Sequence, residues 1–411
     1  MDGFLTIGQP AAVKAVRGML GSHVPHAVLL SGPAAVGKQQ LALDLAAGLL
    51  CTGATGASRP CRACRSCRMV EHGNHPDLHR LDPDGPGGQV RIGNSHHPEP
   101  GTVRWLASQL ALLAVEAGGR VAIIRDAHRM NEDAQSALLK TLEEPPLGAT
   151  IILCTDDDER LMPTVRSRCA RLRLGPVGPR DIEQLLASRG LADAPTGARL
   201  ARLAAGRPGL AVAYASAPDA EGIRGEITRT LLDLSGRGRA ARLHGARDLL
   251  TRSAELATLL AGALTGQASD PAPRARGRGA ARPRPSTPEE STNGPDPATT
   301  GAEAASAPGA SAPGGSRAPA AERRRALATL LDAWRELARD LALAQAGAAD
   351  EIREVALLEE IEAAARRLPP GAGGEALARL LRADELLGAN VSPELLLDVL
   401  LVHWPQAAPA A

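Results

Sequence analysis

A glycine-rich stretch near the start of the chain has residue types that could bind phosphate. In "GPAAVGKQQ", residues 32–40, Gly32, Gly37 and Lys38 fit the pattern G-x-x-x-x-G-K-[S/T]. In that pattern the loop amides and the lysine hold phosphates, and the final hydroxyl binds Mg²⁺. Gln39 stands where the hydroxyl belongs, so a direct magnesium ligand is missing. The stretch predicts a degenerate phosphate loop, which leaves nucleotide binding open and argues against hydrolysis.

Four cysteines just beyond this loop have the spacing of metal ligands. They follow the pattern C-x9-C-x2-C-x2-C and are Cys51, Cys61, Cys64 and Cys67. Four thiolates complete a closed tetrahedral zinc site, which is structural because it leaves no position for water. Unpaired thiols and a DNA-reading zinc finger are the alternatives, and the latter lacks a recognition-helix pattern after the cysteines. The neighbouring His72, His75 and His79 are not needed as ligands, and we expect them to have surface or packing roles.

The elements that must position these residues alternate between strand and helix in the first half of the chain. A strand, loop and helix are predicted within 26–50, and further strands at 121–125, 149–155 and 170–174. A helix is predicted between the strands at 121–125 and 149–155, with Asn131 as its N-cap and Pro145 at its end. Alternation of this kind predicts a parallel sheet with helices on both faces.

Beyond residue 175 the pattern is helical, with one interruption. Three short helices are predicted at 181–190, 197–206 and 208–217, and longer ones within 221–265 and 321–404. Residues 266–320 are rich in Pro, Gly, Ser, Ala and Thr and have no apolar pattern, so we expect them to be disordered.

Bulk composition excludes several classes of function. The net charge is +1, so the whole chain has no electrostatic attraction to nucleic acid or to a membrane surface. Aromatic residues make up 1% of the chain, which argues against a stacking platform for single-stranded bases. The sequence shows neither a secretory signal nor an apolar run of the ~18 residues that a membrane helix needs. We therefore expect a cytoplasmic protein without a membrane partner.

Several stretches taken together indicate a family. They are "GQPAAV", "PHAVLLSGPAAVGKQQLA", the four cysteines, "GNHPDL", "ALLKTLEEPP" and "SRC", in this order across residues 8–169. On these stretches the chain resembles the bacterial DNA polymerase III clamp-loader family of AAA+ proteins, in its non-motor delta-prime type. The resemblance implies an α/β AAA+ core with a parallel sheet, followed by a small helical lid and an all-α collar domain. It also implies a location at the nucleoid and replisome.

The resemblance implies these domain boundaries. The AAA+ core is residues 1–175, with an inserted four-cysteine zinc module at about 51–67; the lid is 176–220; the collar is 221–265 and 321–405; and the insert is 266–320.

The resemblance also places residues in a degenerate nucleotide site. In hydrolytic members one strand ends with Asp-Glu, where the Asp binds Mg²⁺ and the Glu orients the attacking water. This chain has Arg125 and Asp126 at those positions. Thr155 matches the polar sensor position after the fourth strand, and Gly209 stands where motor subunits have an arginine. The resemblance thus implies weak or absent ATPase activity in this chain, with ATP and Mg²⁺ held in neighbouring subunits. It gives no reason to expect polymerase activity.

The "SRC" stretch carries the function that the resemblance implies. Arg168 matches the family's arginine finger, which stabilises the transferring phosphoryl group in an adjacent subunit's ATP site. The implied partners are the gamma/tau motor and delta subunits, the sliding clamp and primed DNA bound independently of sequence. Arg104 and Arg129, each near a predicted helix start, are candidate DNA-phosphate contacts, with a solvated role as the alternative.

Two other functions remain open from the sequence. The chain could be an ATP-hydrolysing motor subunit of the gamma/tau type, which Gln39 and Arg125 argue against, or a scaffold without a role in any ATP site. Apolar residues recur at helical spacing in the predicted collar, namely Leu327, Leu330, Leu331 and Trp334. The sequence does not separate packing within the chain from packing between subunits.

Overall fold

Buried apolar runs of the first half of the chain form a five-stranded parallel sheet. The strands are β1 Ala27–Ser31, β2 Leu78–Leu81, β3 Arg120–Ile124, β4 Ala149–Thr155 and β5 Ala170–Arg173. Their order across the sheet is β2-β3-β4-β1-β5. This computed structural model describes residues 3–83, 88–116, 118–266, 319–388 and 391–407. The expected disorder of the 266–320 insert concerns residues that, apart from its two ends, lie outside these ranges.

The register of the sheet determines which loops meet. Strand β1 lies between β4 and β5, and Ser31 at its end is paired with Thr155 on one side and Arg173 on the other. Parallel strands place their carboxyl ends at one edge of the sheet, so the loop after β1 and the residues after β4 are neighbours.

Helices cover both faces of the sheet, as the alternation predicted. The helices of this half are α1 Pro10–Gly21, α2 Lys38–Leu49, α3 Arg65–Glu71, α4 Val103–Leu110, α5 Glu132–Glu143 and α6 Pro163–Ser167. Along β1, Val28 and Leu30 enter the core shared with α1, α2 and α3, whereas Ala27 and Leu29 enter the core shared with α4, α5 and α6. The predicted α/β core with a parallel sheet is confirmed.

The second half is helical and has its own hydrophobic core. Its helices are α7 Pro179–Ser188, α8 Ala194–Leu203, α9 Pro208–Ser216, α10 Pro218–Ser235, α11 Arg239–Gly266, α12 Ala320–Gln345, α13 Leu358–Arg367, α14 Ala372–Gly388 and α15 Pro393–Val402. The first three lie where three short helices were predicted. Among the described residues, no helix has the length and apolarity needed to cross a bilayer.

The apolar stripe of α12 packs within the chain. All four of its members are buried, namely Leu327, Leu330, Leu331 and Trp334. Trp334 meets Trp404 edge-on at 5.2 Å between ring centroids, an arrangement that aromatic pairs prefer. This stripe is therefore part of the subunit's own core.

Candidate functional sites

The phosphate-loop sequence forms a loop between β1 and α2. Helix α2 begins at Lys38, and Gly37 before it has φ of +107°, a conformation that favours glycine. Gly32 has φ of +147°, and a Cβ there would lie 2.2 Å from the carbonyl oxygen of Leu174. Both glycines are thus required by the path of the backbone itself, whether or not phosphate binds.

Lys38 is engaged entirely by its own chain. The side chain is buried, and Nζ donates to the carbonyl oxygens of Gly32 at 2.7 Å and Pro33 at 2.5 Å. Its third partner is Oδ1 of Asp156 at 2.7 Å. A lysine ammonium has three N–H donors, so each has an acceptor here. A phosphate group would have to compete with the Asp156 carboxylate.

The remaining residues of the predicted nucleotide site do not fit a magnesium complex. Gln39 lies half-buried in the first turn of α2. Arg125 pairs with Asp82 at 3.2 Å, and Asp126 follows it in the left-handed region with φ of +46°. The Thr155 hydroxyl is buried and donates to the carbonyl oxygen of Asp157 at 2.7 Å. The guanidinium of Arg125 replaces the expected metal ligand, and the amide of Gln39 replaces the expected hydroxyl. A divalent cation would therefore have too few oxygen ligands at this site.

The start of α9 contacts the phosphate loop directly. The backbone N–H of Gly209 donates to the carbonyl oxygen of Ala35 at 3.0 Å. Nearby, Nη1 of Arg207 lies 2.8 and 2.7 Å from the two carboxylate oxygens of Asp332 on α12. The backbone of α9 thus packs on the loop at Gly209, for which the resemblance predicts an arginine in motor subunits.

The four predicted metal ligands come together. The Sγ atoms of Cys51, Cys61, Cys64 and Cys67 all lie within 4.8 Å of one another. Sulfurs around a tetrahedral zinc ion at ~2.3 Å are separated by about 3.8 Å, so the cluster fits zinc. Gly53 makes room for it, because a Cβ there would lie 2.9 Å from Cys61 Sγ.

Backbone N–H groups surround the sulfurs of this cluster. The amide of Cys64 donates to Cys61 Sγ and the amide of Cys67 donates to Cys64 Sγ, each at 3.4 Å. Burial opposes ionisation of Cys64, but backbone N–H groups, chiefly that of Cys67, lower the pKa of its thiol to about 5. Burial raises the pKa of the Cys67 thiol. The site combines two half-buried and two buried thiols, as a structural zinc site would.

The neighbouring histidines have other partners. His72 Nδ1 lies 2.6 Å from the carbonyl oxygen of Arg68, and His75 Nδ1 accepts from the amide of Asp77 at 3.1 Å. His79 lies 2.9 Å from the guanidinium of Arg120. These contacts agree with the packing and surface roles predicted for them.

The cysteine module is joined to the rest of the core by an ion pair that the sequence reasoning missed. Arg62, between Cys61 and Cys64, forms a short ion pair with the fully buried Asp44 of α2. Asp44 Oδ2 also accepts from the amides of Leu5 at 3.0 Å and Thr6 at 2.9 Å. Its position within the cysteine motif was the one available signal for Arg62; nothing in the sequence indicated Asp44.

Arg168 lies directly after α6 with about a third of its side chain exposed. Nη1 donates to the carbonyl oxygen of Thr164 at 2.9 Å, and Nη2 pairs with Oε1 of Glu143 at 2.7 Å. A partly exposed guanidinium at the surface is able to reach a second molecule. Glu143, in the "ALLKTLEEPP" stretch, was not singled out from the sequence.

The two candidate DNA contacts hold a loop of their own chain. Arg104 donates to the carbonyl oxygen of Gly93 at 2.9 Å, and Arg129 to that of Gly88 at 3.3 Å. Both therefore stabilise the segment between β2 and α4. Their contact with DNA stays a prediction.

Comparison with known proteins finds relatives for the first part of the chain. A family model described as DNA polymerase III, delta subunit, matches residues 8–178. The delta-prime subunit of DNA polymerase III from Bacillus subtilis (strain 168) is 33% identical over 179 residues, which are 43% of this chain and 51% of that protein. The Escherichia coli K12 delta-prime subunit is 33% identical over 206 residues, 50% of this chain and 59% of that protein.

Subunits named tau or gamma, the motor type, are also among the relatives. The tau/gamma subunit of DNA polymerase III from Haemophilus influenzae is 31% identical over 183 residues, 44% of this chain and 25% of that protein. The chain spans about half the length of the curated delta-prime relatives it matches. Residues 8–178 are therefore similar to the delta-prime subunits of DNA polymerase III.

Proposed function

We propose that this chain is the non-motor, delta-prime-type subunit of the clamp loader and acts by donating Arg168 to the ATP site of a neighbouring motor subunit. The observation that carries the proposal is the arrangement around Lys38. All three donors of this lysine have acceptors within the chain, and Arg125 stands where hydrolytic relatives have a metal ligand. A subunit with such a degenerate site would contribute to ATP turnover through a surface residue that reaches the ATP site of its neighbour.

In the proposed mechanism the ATP site is shared between two subunits. The neighbour's loop holds the phosphates, and Arg168 offers N–H donors to the oxygens of the transferring phosphoryl group. A finger of this kind contributes ~10³–10⁵ to the rate at its site. ATP binding orders the ring of subunits and opens the sliding clamp to admit primed DNA, and hydrolysis then releases the closed clamp on the DNA. The proposed partners are therefore the clamp, primed DNA and the gamma/tau and delta subunits.

The cysteine cluster has a structural part in this proposal. Cys51, Cys61, Cys64 and Cys67 would hold one Zn²⁺, which supplies local folding energy and no catalysis because four thiolates close its coordination shell. The site fixes the segment after α2 against the core through Arg62 and Asp44.

The test is the ATPase activity of the reconstituted loader with Arg168→Ala in this chain. Clamp- and DNA-stimulated turnover at the affected site should fall on the order of 10³-fold, while light scattering shows intact assembly. The matched control is Arg171→Ala, which removes an exposed arginine of the adjacent strand β5 and should leave turnover unchanged. Equal activity of the wild type and Arg168→Ala would remove the finger assignment and leave a scaffold.

A second candidate function is a motor subunit of the gamma/tau type, which the identity to a tau/gamma subunit favours. Lys38→Ala separates the two. A motor subunit would lose ATP turnover with this change, because the lysine holds the phosphates. Under the proposal the loader keeps its turnover, because the Lys38 ammonium serves only its own loop.

A further inference from the structure

The guanidinium of Arg168 is held from two directions. The Thr164 carbonyl oxygen lies one helical turn before it, whereas the Glu143 carboxylate belongs to a different helix, α5. The two contacts use different terminal nitrogens, so together they restrict rotation of the guanidinium plane. Of the five N–H donors of an arginine, these contacts use two and leave three for a further anion.

Glu143 has a fixed base from which to hold Arg168. It is the last residue of α5, whose Leu138 and Leu142 are buried against the sheet. The helix is capped at its start by Asn131, whose side chain accepts from the amide of Ala134 at 2.9 Å. Pro145, two residues after Glu143, prevents continuation of the helix.

We propose that Glu143 is a positioning residue for Arg168 and sets the direction in which the guanidinium projects from the surface of this subunit. The inference rests on the proposed function of Arg168 as a finger. Pre-orienting a long side chain removes part of the entropy cost of ordering it in the transition state. A carboxylate acts on the guanidinium through charge and geometry together, and the amide of glutamine lacks the charge.

The experiment measures ATP turnover in the reconstituted loader carrying Glu143→Gln in this chain. We expect kcat to fall by about two- to fivefold, the size of a partly exposed ion pair, with KM for ATP unchanged because the contact acts in the transition state. Glu144→Gln is the matched control. It removes the same charge one residue later, at an exposed position, and should behave as wild type.

A double-mutant cycle separates positioning from a merely structural role. If Glu143 acts through Arg168, Glu143→Gln has no further effect in an Arg168→Ala background. Three results would overturn the inference: wild-type kcat in Glu143→Gln, a raised kcat that marks the carboxylate as a restraint, or the same loss with and without Arg168. If Arg168→Ala alone has wild-type activity, it is the proposed function that fails, and the inference falls with it. Thermal unfolding of each variant verifies that the fold is kept.

Discussion

The contacts of the Lys38 ammonium determine how readily the phosphate loop of this chain can bind a phosphate. The carbonyl oxygens of Gly32 and Pro33 belong to the loop itself, whereas Asp156 is an exposed carboxylate on a neighbouring segment. Of its three partners, Asp156 is the one that carries charge. A phosphate and this carboxylate therefore compete for one cation.

We expect Asp156→Asn to raise the affinity of the chain for ATP added without magnesium, by about three- to tenfold, because a charged competitor is removed. Isothermal titration calorimetry on the full chain measures it. Asp157→Asn is the control, since Asp157 is the exposed next residue and its carboxylate accepts from the amide of Glu159 at 3.0 Å. Equal affinities of the wild type and Asp156→Asn, or binding by neither, would show that Asp156 is not what opposes the nucleotide.

At the scale of elements, the cysteine module and the N-terminal segment share one anchor. Asp44 lies on α2, the helix that follows the phosphate loop, and is fully buried. It is reached by Arg62 from the module and by the amides of Leu5 and Thr6 from the N-terminal segment. Arg62 also donates to the carbonyl oxygen of Gly3 at 2.7 Å. The order of the N-terminal segment therefore depends on the module that zinc would fold.

We expect Arg62→Ala to lower the free energy of unfolding by about 3 kcal/mol, because it leaves a buried carboxylate without its cation. Hydrogen exchange at Leu5 and Thr6 should accelerate while the zinc content stays at wild-type level. Cys64→Ser should accelerate the same amides and also remove the metal. Arg65→Ala is the control, since that side chain is 77% exposed. Unchanged exchange in Arg62→Ala would disconnect the module from the N-terminal segment.

Local signals explain what could be predicted of these elements. The cysteine spacing, the Asn131 cap and the Pro145 stop act within a few residues, and the structure bears them out. Strand β2 was missed because "LHRL" is short and half polar. The pairing of Lys38 with Asp156 depends on the register of β1 and β4, and that of Arg168 with Glu143 on the packing of α6 against α5. No local sequence pattern predicts either of these two ion pairs.

At the scale of the whole molecule, polar contacts between described residues link the α/β core to helices α9, α12 and α14. Gly209 joins the start of α9 to the phosphate loop, and Arg207 joins it to α12 through Asp332. Arg160, after β4, donates to the carbonyl oxygen of Gly388 at the end of α14 at 2.9 Å. These contacts favour joint movement of the core and the described helices, as the finger role proposed for Arg168 requires.

Acid should weaken the contact between α9 and α12. Burial would raise the pKa of Asp332, but the guanidinium groups of Arg207 and Arg335 outweigh it, and the pKa is lowered. A carboxyl with a lowered folded pKa stabilises the fold above its unfolded pKa of about 3.9, and this is lost as pH falls through the folded value. Asp332→Asn should therefore cost about 2 kcal/mol at neutral pH, and the difference from wild type should shrink below about pH 4.

Urea unfolding at a series of pH values measures this difference. Asp350→Asn, which changes an exposed carboxylate five residues after the end of α12, is the control and should have the same stability as the wild type at every pH. A difference between the wild type and Asp332→Asn that does not depend on pH would mean that the contact acts through shape, without its charge.

The close approach of α9 to the phosphate loop also bears on descent. A Cβ at Gly209 would lie 3.2 Å from the carbonyl oxygen and 3.3 Å from the Cβ of Ala35, so any larger residue there needs the neighbouring backbone to give way. A descendant of this chain that gained the side chains of a hydrolytic site at positions 39, 125 and 209 would therefore need one further change. The backbone around Ala35 would have to shift by a few tenths of an ångström to make room for the residue at position 209.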